Sequence, residues 1–232
     1  MPTFEEIYAQ HADAYDALIE REDYQGHLLP ALAAITPLDG ARVVEFGAGS
    51  GRLTRLLAPL VQRIRAFDAS AHMLSVAEAH LTAMGVSNWE LGVADNKRLS
   101  VEDDEADIAI AGWSFGHAVG WFPDSWRDEI GAAVDEMARV LRPGGTAIIL
   151  ETMTTGSETP APPTEGLATY YHWLETERGF SSTSIRTDYQ FESLDEADRL
   201  TRFFFGDDLA DRVRRANWVI LPENTGIWWR TF

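Results

Sequence analysis

The sequence predicts an α/β fold: a doubly wound, mostly parallel seven-stranded sheet with a C-terminal antiparallel hairpin and a small helical cap. Three observations lead to this prediction. Short β-branched runs alternate with helical segments between residues 41 and 152, as in parallel sheets. The first strand runs into a glycine-rich turn, and acidic residues end the next two strands. Right-handed crossovers would bring the carboxyl ends of these strands to one edge, where ligands bind.

The composition excludes several classes of protein. Of the 232 residues, 45 % are hydrophobic and 11 % aromatic, which is too apolar for a disordered chain. The 19 Lys and Arg are outnumbered by 37 Asp and Glu, and the net charge of −18 argues against a nucleic-acid partner. The absence of cysteine excludes disulfides and thiolate catalysis, and no residue spacing indicates a metal site. Without a long apolar run or a signal-peptide core, we expect a cytoplasmic protein with no membrane partner.

The predicted elements follow in order from the periodicity of apolar residues. Residues 1–40 form a helical cover, whose pattern ends at Pro37 and Gly40. The core, residues 41–152, contains strands at 41–46, 61–67, 88–94, 106–112 and 145–152 and helices at 52–60, 70–85 and 125–141. Ser70 is a suitable N-cap for the second of these helices, and Gly85 suits its C-terminus.

The alternation of strands and helices stops after the core. Residues 153–190 are predicted as an inserted cap or lid. This segment contains a loop rich in Pro, Ser and Thr, an aromatic-rich helix at 166–180 and a short strand near 187–191. We expect it to cover the ligand-binding edge of the sheet.

The last part of the chain, residues 191–232, is predicted to hold two helices and a terminal hairpin. The hairpin consists of β-rich runs at 217–222 and 227–232 around the sequence ENTG. Neither a repeat nor a second core is visible in the sequence. Residues 1–232 are therefore predicted to form a single domain.

The glycine-rich turn is the strongest local signal. Glu45 precedes Gly47, Gly49 and Gly51, which are spaced two apart. Glycine allows positive φ and a close approach to a ligand, and the N–H groups at the next helix favour polar or negative ligand groups. The spacing differs from the G-x-G-x-x-G of nicotinamide-binding folds, because Arg52 stands where the third glycine would fall.

Two further signals lie at the ends of the second and third strands. Asp68 ends the second strand, where an acid can accept hydrogen bonds from both ribose hydroxyls or serve as a helix cap. Asp95 and Asn96 end the third strand. A carboxylate there can accept a hydrogen bond from an adenine amine or occupy a turn. Together, these acids predict a nucleoside-binding edge.

These motifs resemble those of the class I S-adenosylmethionine-dependent methyltransferases, in particular small-molecule methyltransferases with a compact Rossmann-like domain. The resemblance covers about residues 8–152. It rests on the motifs EFGAGSG (45–51), FDAS-x-x-M (67–73), AD (94–95), ADIAIAG (106–112) and LRPGG (141–145). It implies S-adenosyl-L-methionine as cofactor and S-adenosyl-L-homocysteine as product. The terminal hairpin is similar to the reversed seventh strand of that fold.

The resemblance also implies cofactor contacts from residues at the sheet edge. The set is Tyr8, Tyr15, Glu45, Gly47, Ala48, Gly49, Gly51, Asp68, Ala69, Met73, Asp95, Asn96, Ala111 and Gly112. Glu45 and the glycine turn would hold the methionine part, Asp68 the ribose and Asp95 the adenine amine. Ala111 and Gly112 would line the floor beneath the sulfonium. The tyrosines lie in a segment that resembles the helix closing over the cofactor in many relatives.

A small-molecule acceptor is expected beside the cofactor, and methyl transfer would proceed by in-line displacement, mainly through positioning. The candidate substrate-binding residues are Trp113, His117, Glu151, Tyr171 and His172. His117, in the loop after the fourth strand, is the best-placed general base, although a structural histidine is also consistent with the pattern. The surrounding aromatic residues either attract a cationic group or form the underside of the cap.

Two other functions remain open at this stage. An aminopropyltransferase on the same fold would suit the acidic charge, but the acid-rich, tyrosine-containing motif expected after the fourth strand is missing. A non-catalytic protein that binds S-adenosylmethionine or S-adenosylhomocysteine would use the same motifs. A nicotinamide oxidoreductase is disfavoured by the glycine spacing. The sequence is compatible with a monomer or a homodimer.

Overall fold

One seven-stranded sheet organises the computed structural model, which describes residues 6–7 and 11–232. Its strands are β1 (Arg42–Phe46), β2 (Arg63–Asp68), β3 (Trp89–Val93), β4 (Ala106–Gly112), β5 (Leu141–Thr155), β6 (Ser181–Arg186) and β9 (Glu223–Thr231). They are arranged in the order β3-β2-β1-β4-β5-β9-β6. The five strands from β3 to β5 are parallel, and β9 runs antiparallel to both of its neighbours. This arrangement confirms the predicted fold class.

Helices cover both faces of the sheet. They are α1 (Ala12–Ile19), α2 (Leu28–Ile35), α3 (Arg52–Leu57), α4 (Ala71–Met84), α5 (His117–Trp121), α6 (Trp126–Val140), α7 (Glu165–Thr176), α8 (Leu194–Phe205) and α9 (Asp207–Ala216). In the described part of the chain, no helix combines the length and apolar character needed to cross a membrane.

Alternate residues of the buried strands belong to two separate cores. On one face, Val44 and Ala109 pack with α6 and α7. On the other face, Val43 and Ile108 pack with α2 and α3. Successive side chains of a strand point to opposite faces of the sheet, so both faces of these strands must be apolar. This explains why the central strands contain continuous hydrophobic runs.

Helix α4 shows how local sequence signals position the ligand-binding edge. The Ser70 side chain accepts a hydrogen bond from the Met73 N–H at 3.3 Å, and Gly85 ends the helix with φ of 70°. The predicted bounds of this helix, 70–85, are therefore confirmed within one residue. The cap lies two residues after Asp68, and the Ser70 N–H donates to Asp68 Oδ1 at 2.8 Å, so the end of β2 and the start of α4 are directly connected.

The structure corrects the predicted pairing of the terminal hairpin. β9 runs without a break through residues 223–226, which were predicted as a turn, and lies between β5 and β6. The preceding run contributes only β8 (Ile220–Leu221), which pairs with β7 (Tyr189–Gln190) in a separate small sheet. Polar residues are tolerated in the interior strand because they have partners: Asn224 donates to the Ser157 carbonyl at 2.7 Å.

The structure also differs from the expectation of a separate cap at residues 153–190. β6 is the edge strand of the main sheet, and α7 packs into the core through Tyr170 and Leu174. β6 was missed because its sequence SSTSIR is polar, which is typical of an exposed edge strand. The predicted strand near 187–191 is present as the two-residue β7.

Candidate functional site

The turn between β1 and α3 requires glycine at two of its positions. Gly47 has φ of 69°, and a Cβ atom there would lie 2.5 Å from Ser114 Cβ. Gly51 has φ of 81°, and its Cβ would lie 2.9 Å from Ala77 Cβ. Both positions therefore require glycine for two reasons, backbone conformation and space. The turn brings its backbone close to the ends of β2 and β4.

Asp68 joins this turn to the end of β2. Its Oδ2 accepts a hydrogen bond from the Gly49 N–H at 2.8 Å, and its Oδ1 accepts one from the Ser70 N–H at 2.8 Å. Burial raises the pKa of Asp68, and the two backbone N–H groups oppose this effect. Each carboxylate oxygen has a further lone pair, so Asp68 can accept two more hydrogen bonds, as a vicinal diol would require.

Glu45 is a buried acid at the base of the turn. It is 2 % exposed, and its Oε2 accepts a hydrogen bond from Thr54 Oγ1 at 2.6 Å. Burial raises the pKa of Glu45 to about 8, and hydrogen bonding from Thr54 opposes the rise. A cation placed beside this carboxyl group would lower its pKa and restore its charge. The site is therefore suited to an ammonium group.

A cavity of about 470 Å³ opens above these residues. Most of the predicted cofactor residues line it: Tyr15, Glu45, Gly47, Ala48, Gly49, Asp68, Ala69, Met73, Asp95, Asn96 and Gly112. Three do not appear in the lining. Ala111 is fully buried in the core, Gly51 supports the turn against α4, and Tyr8 lies outside the described residues. Of the two residues predicted for the floor, Gly112 lines the cavity and Ala111 does not, because successive residues of β4 face opposite sides of the sheet.

Helix α1 lies beside the cavity and contributes Tyr15 to its wall. The helix is fastened to the glycine turn by Asp16, whose Oδ1 accepts a hydrogen bond from Ser50 Oγ at 2.8 Å. The same carboxylate is 3.1 Å from Arg55 Nη2 and 2.7 Å from His80 Nε2. Asp16 therefore ties the N-terminal cover to the turn, to α3 and to α4. Asp16 ends the Tyr8-to-Asp16 stretch that resembles the covering helix of relatives, but the sequence did not predict these contacts, because the partners are distant in sequence.

A second cavity, of about 910 Å³, adjoins the first. The residues that line both cavities are Tyr15, Ile19, Arg52, Trp113, His117 and Trp121. Two of the predicted substrate residues, Trp113 and His117, thus lie at the common wall, and a third, Glu151, lines the second cavity alone. A ligand of drug-like size fits a cavity of this volume.

His117 begins α5 and stacks on Trp121, with ring centroids 5.0 Å apart and planes 15° from parallel. Burial lowers the pKa of His117 to about 4, while a backbone hydrogen bond with Trp113 opposes the shift. The imidazole is therefore neutral at physiological pH. It can accept a proton, but its low pKa makes it a weak base in this arrangement.

Glu151 lies in β5 below the start of α5. Its Oε1 accepts a hydrogen bond from the Gly116 N–H at 2.7 Å. Burial raises the pKa of Glu151 to about 8, and the Gly116 hydrogen bond opposes this rise. The group is mainly protonated at neutral pH until a positive charge approaches it.

The structure does not bring Tyr171 and His172 to either cavity. Tyr171 packs on Trp228 with ring centroids 4.4 Å apart, and its hydroxyl donates to the Thr152 carbonyl at 2.8 Å. His172, the next residue of α7, is exposed. These two predicted substrate residues therefore lie away from both cavities, because Tyr171 packs against the sheet and His172 faces solvent.

Three charged residues of the second cavity were missed by sequence reasoning. Arg52 Nη1 is 2.6 Å from Glu22 Oε2, and the Arg52 guanidinium lies 4.1 Å from the centre of the Trp113 ring. Glu223 Oε1 accepts a hydrogen bond from Thr152 Oγ1 at 2.9 Å. The sequence marked Arg52 as unusual, since it stands where the nicotinamide pattern has its third glycine. It gave no indication of Glu223, which was predicted to lie in the turn of the terminal hairpin.

The central part of this chain is similar in sequence to known proteins. Residues 43–145 match the family model of a methyltransferase domain. The uncharacterized protein YafE of Escherichia coli (strain K12) is 31 % identical over 143 residues, which cover 62 % of this chain and 60 % of that protein. The demethylmenaquinone methyltransferase of Clavibacter sepedonicus is 28 % identical over 151 residues, which cover 65 % of this chain and 57 % of that protein. The match to both of these curated relatives thus spans less than two thirds of their length.

The fold comparison agrees over most of the chain. The crystal structure of the YcgJ protein from Bacillus subtilis has a TM-score of 0.59 at 18 % identity, covering 89 % of this chain and 98 % of that one. Residues 43–145 accordingly resemble a methyltransferase domain, and the comparisons support S-adenosylmethionine as the cofactor. The first cavity fits this cofactor, because Asp68 has free lone pairs for a ribose and Glu45 suits an ammonium group.

Proposed function

We propose that the protein transfers the methyl group of S-adenosylmethionine to a small-molecule acceptor. The observation that carries this proposal is the common wall of the two cavities. Tyr15, Arg52, Trp113 and His117 face both the cofactor cavity and the larger cavity beside it. An acceptor in the larger cavity would therefore lie next to the cofactor, on the other side of this common wall.

The first cavity would hold the cofactor through the groups described above. Asp68 would accept hydrogen bonds from the ribose hydroxyls, and Glu45 would pair with the ammonium of the methionine part. Asp95 and Asn96 would lie at the adenine. When bound, S-adenosylmethionine supplies a methyl group on a sulfonium that a nucleophile takes by in-line displacement.

The residues of the common wall would position the acceptor and exclude water. Correct orientation of two reactants lowers a barrier by about 7–11 kcal/mol, so positioning alone is a large contribution. His117 is neutral and faces both cavities, so it is the candidate to accept a proton from the acceptor. Glu151, on the other side of Gly116, would orient the acceptor rather than remove a proton, because its pKa of about 8 keeps it mainly protonated.

We further propose that residues 1–232 form one domain. In support, β9 near the C-terminus pairs with β5 of the core, and Asp16 links the N-terminal cover to the glycine turn. The elements beyond residues 43–145 thus contribute walls of the second cavity. Tyr15, Glu22 and Glu223 all come from outside the matched region.

A thermal-shift titration tests the cofactor assignment. S-adenosylmethionine and S-adenosylhomocysteine at 100 times their dissociation constants should raise the unfolding midpoint by about 5–10 °C, whereas NADH should not. Asp68→Asn should weaken both by about ten- to a hundredfold, because the ribose hydroxyls lose a charged acceptor. The matched control is Asp124→Asn, at an exposed position, and should bind like the wild type. A midpoint that rises with NADH alone would contradict the proposal.

Methyl transfer itself requires a separate measurement. With radiolabelled S-adenosylmethionine and a panel of small molecules, we expect label in an organic product for at least one of them. Binding of S-adenosylhomocysteine without transfer to any acceptor would favour a non-catalytic binding protein. The two outcomes are separable because binding is established first.

A further inference from the structure

The second cavity contains polar atoms that are buried and unpartnered. Within the described residues, Glu22 Oε1, Arg52 Nη2 and Glu223 Oε2 have no hydrogen-bond partner, and all three residues line this cavity. Glu223 is 2 % exposed, and the Glu22 side chain is 4 % exposed. Leaving such groups unsatisfied costs stability, so the two carboxylate oxygens, which lie in the same cavity, indicate a ligand that donates hydrogen bonds to them.

The charges around this cavity do not balance. Three carboxyl groups line it, those of Glu22, Glu151 and Glu223, and Arg52 is its only Arg or Lys among the described residues. Arg52 already forms an ion pair with Glu22 and stacks on Trp113. His117 adds no positive charge at neutral pH, because burial holds its pKa near 4. Two carboxyl groups therefore remain without a cationic partner.

The titration of Glu223 reflects this imbalance. Burial raises its pKa to about 8, and the charge of Glu22 adds to the rise, whereas the Thr152 and Thr155 hydroxyls and Arg52 oppose it. The groups that face it otherwise are Asp188, which accepts a hydrogen bond from the Glu223 N–H at 2.9 Å, and the Tyr171 and Tyr189 hydroxyls. At pH 7, without a cation beside it, Glu223 is thus mainly protonated. A ligand cation would displace that proton.

Aromatic rings form much of the remaining wall. Tyr15, Trp121, Tyr189, Phe204 and Phe205 line the same cavity as the carboxyl groups. Ring faces attract ammonium groups by about 0.5–2 kcal/mol for each contact. An aromatic wall next to unpaired carboxylates favours an organic cation over an inorganic one, because the ligand also has to fill about 910 Å³.

We propose that the second cavity binds an organic molecule with a protonated amine, and that the ammonium lies against the free carboxylate oxygens of Glu22 and Glu223. The ligand is a methyl acceptor if the proposed function is correct, and that identification rests on it. The amine site itself is defined only by the second cavity. Arg52 holds Glu22 in place and so positions the ammonium.

Matched ligands test this proposal by isothermal titration calorimetry on protein saturated with S-adenosylhomocysteine. Two series of ligands are used, each consisting of an amine, an alcohol and a carboxylate. The first is 3-phenylpropylamine, 3-phenylpropanol and 3-phenylpropanoate. The second is tryptamine, indole-3-ethanol and indole-3-acetate. We expect the amines to bind at least tenfold more tightly than their alcohols and carboxylates. At pH 7 amine binding should release a proton, seen as a dependence of the heat on the ionisation enthalpy of the buffer.

Variants assign the effect to the named carboxylates. Glu223→Gln should reduce the preference for amines to less than threefold and abolish the proton release, while the affinity for S-adenosylhomocysteine stays within twofold. Glu22→Gln is the second variant if the first does not fold. Glu78→Gln, which removes one exposed carboxylate of α4, is the control for net charge and should behave like the wild type.

Several outcomes would overturn the proposal. Equal affinity for amine and alcohol, or failure of both amines to bind, would contradict it. Tightest binding of the carboxylates would instead make Arg52 the anchor. A preference for amines that persists in both Gln variants would show that the named carboxylates are not responsible. If the wild-type protein does not bind S-adenosylhomocysteine at all, the proposed function is refuted instead. In that case the amine titrations are run without cofactor, so the two failures are distinguished.

Discussion

Asp16 and Ser50 form a buried hydrogen bond that connects the N-terminal cover to the glycine turn, with Ser50 Oγ donating to Asp16 Oδ1 at 2.8 Å. The contact lies between α1, which carries Tyr15, and the turn that would hold the methionine part of the cofactor. The position of Tyr15 at the common wall thus depends on a polar contact 34 residues apart in sequence. Disturbing this contact should affect both stability and cofactor affinity.

Asp16→Ala should destabilise the protein by about 1–3 kcal/mol, because Ser50 and the nearby Arg55 and His80 lose a common partner. Urea unfolding measures the change. Cofactor affinity should fall severalfold as the cover loosens. The control Asp13→Ala, at an exposed position of the same helix, should have little effect on either quantity. Equal effects of both substitutions would show that helix propensity, and not the contact, is responsible.

Gly47→Ala should abolish cofactor binding at ordinary ligand concentrations. The new Cβ would lie 2.5 Å from Ser114 Cβ, and the backbone φ of 69° is unfavourable for alanine. The turn must shift, and a loss of about 1–3 kcal/mol in stability is expected as well. Binding of S-adenosylhomocysteine is measured by calorimetry. Gly120→Ala, at a glycine with no atom within 4 Å of the added Cβ, is the control and should retain binding.

The neutral state of His117 should make stability depend on pH. Its pKa is about 4 in the folded protein and 6.5 in the unfolded chain, so between these values only the unfolded state binds the proton. The His117 contribution is therefore present above pH 6.5 and is lost as pH falls toward 4. His117→Gln should remove this dependence, and the difference in unfolding free energy should reach at most about 3 kcal/mol. A difference that is constant from pH 7 to pH 4 would refute the shift.

Glu45→Gln should stabilise the protein without cofactor and weaken cofactor binding. The pKa of Glu45 is raised from 4.5 to about 8, so its contribution is favourable below pH 4.5 and is lost as pH rises toward 8. Glutamine retains the acceptor for Thr54 but carries no charge. The variant should gain about 1–3 kcal/mol over the wild type at pH 7 and less at pH 5. Chemical unfolding at both values measures it, and a gain independent of pH would count against this explanation.

Local sequence signals predicted the parts of the fold whose geometry depends on neighbours in the chain. Ser70 and Gly85 bound α4 because capping involves only adjacent residues, and Gly47 and Asp68 marked the ligand edge because parallel strands end at the same side. The same reasoning failed at the terminal strand. Residues 223–226 contain Asn and Gly and are typical of a turn, yet partners such as Ser157 and Thr187 allow them to lie in a buried strand.

The sequence alone thus determined the class of fold, the cofactor edge and 13 of the 28 residues that line the first cavity. Only the tertiary structure decided the acceptor side. Glu22, Arg52 and Glu223 come from three separate parts of the chain, and Glu223 reaches the other two because β9 lies between β5 and β6. Which side of α7 faces the cavity was equally a matter of packing, since Tyr171 and His172 are adjacent in sequence but point to different surroundings. Such contacts depend on long-range burial, and no local pattern of residues encodes them.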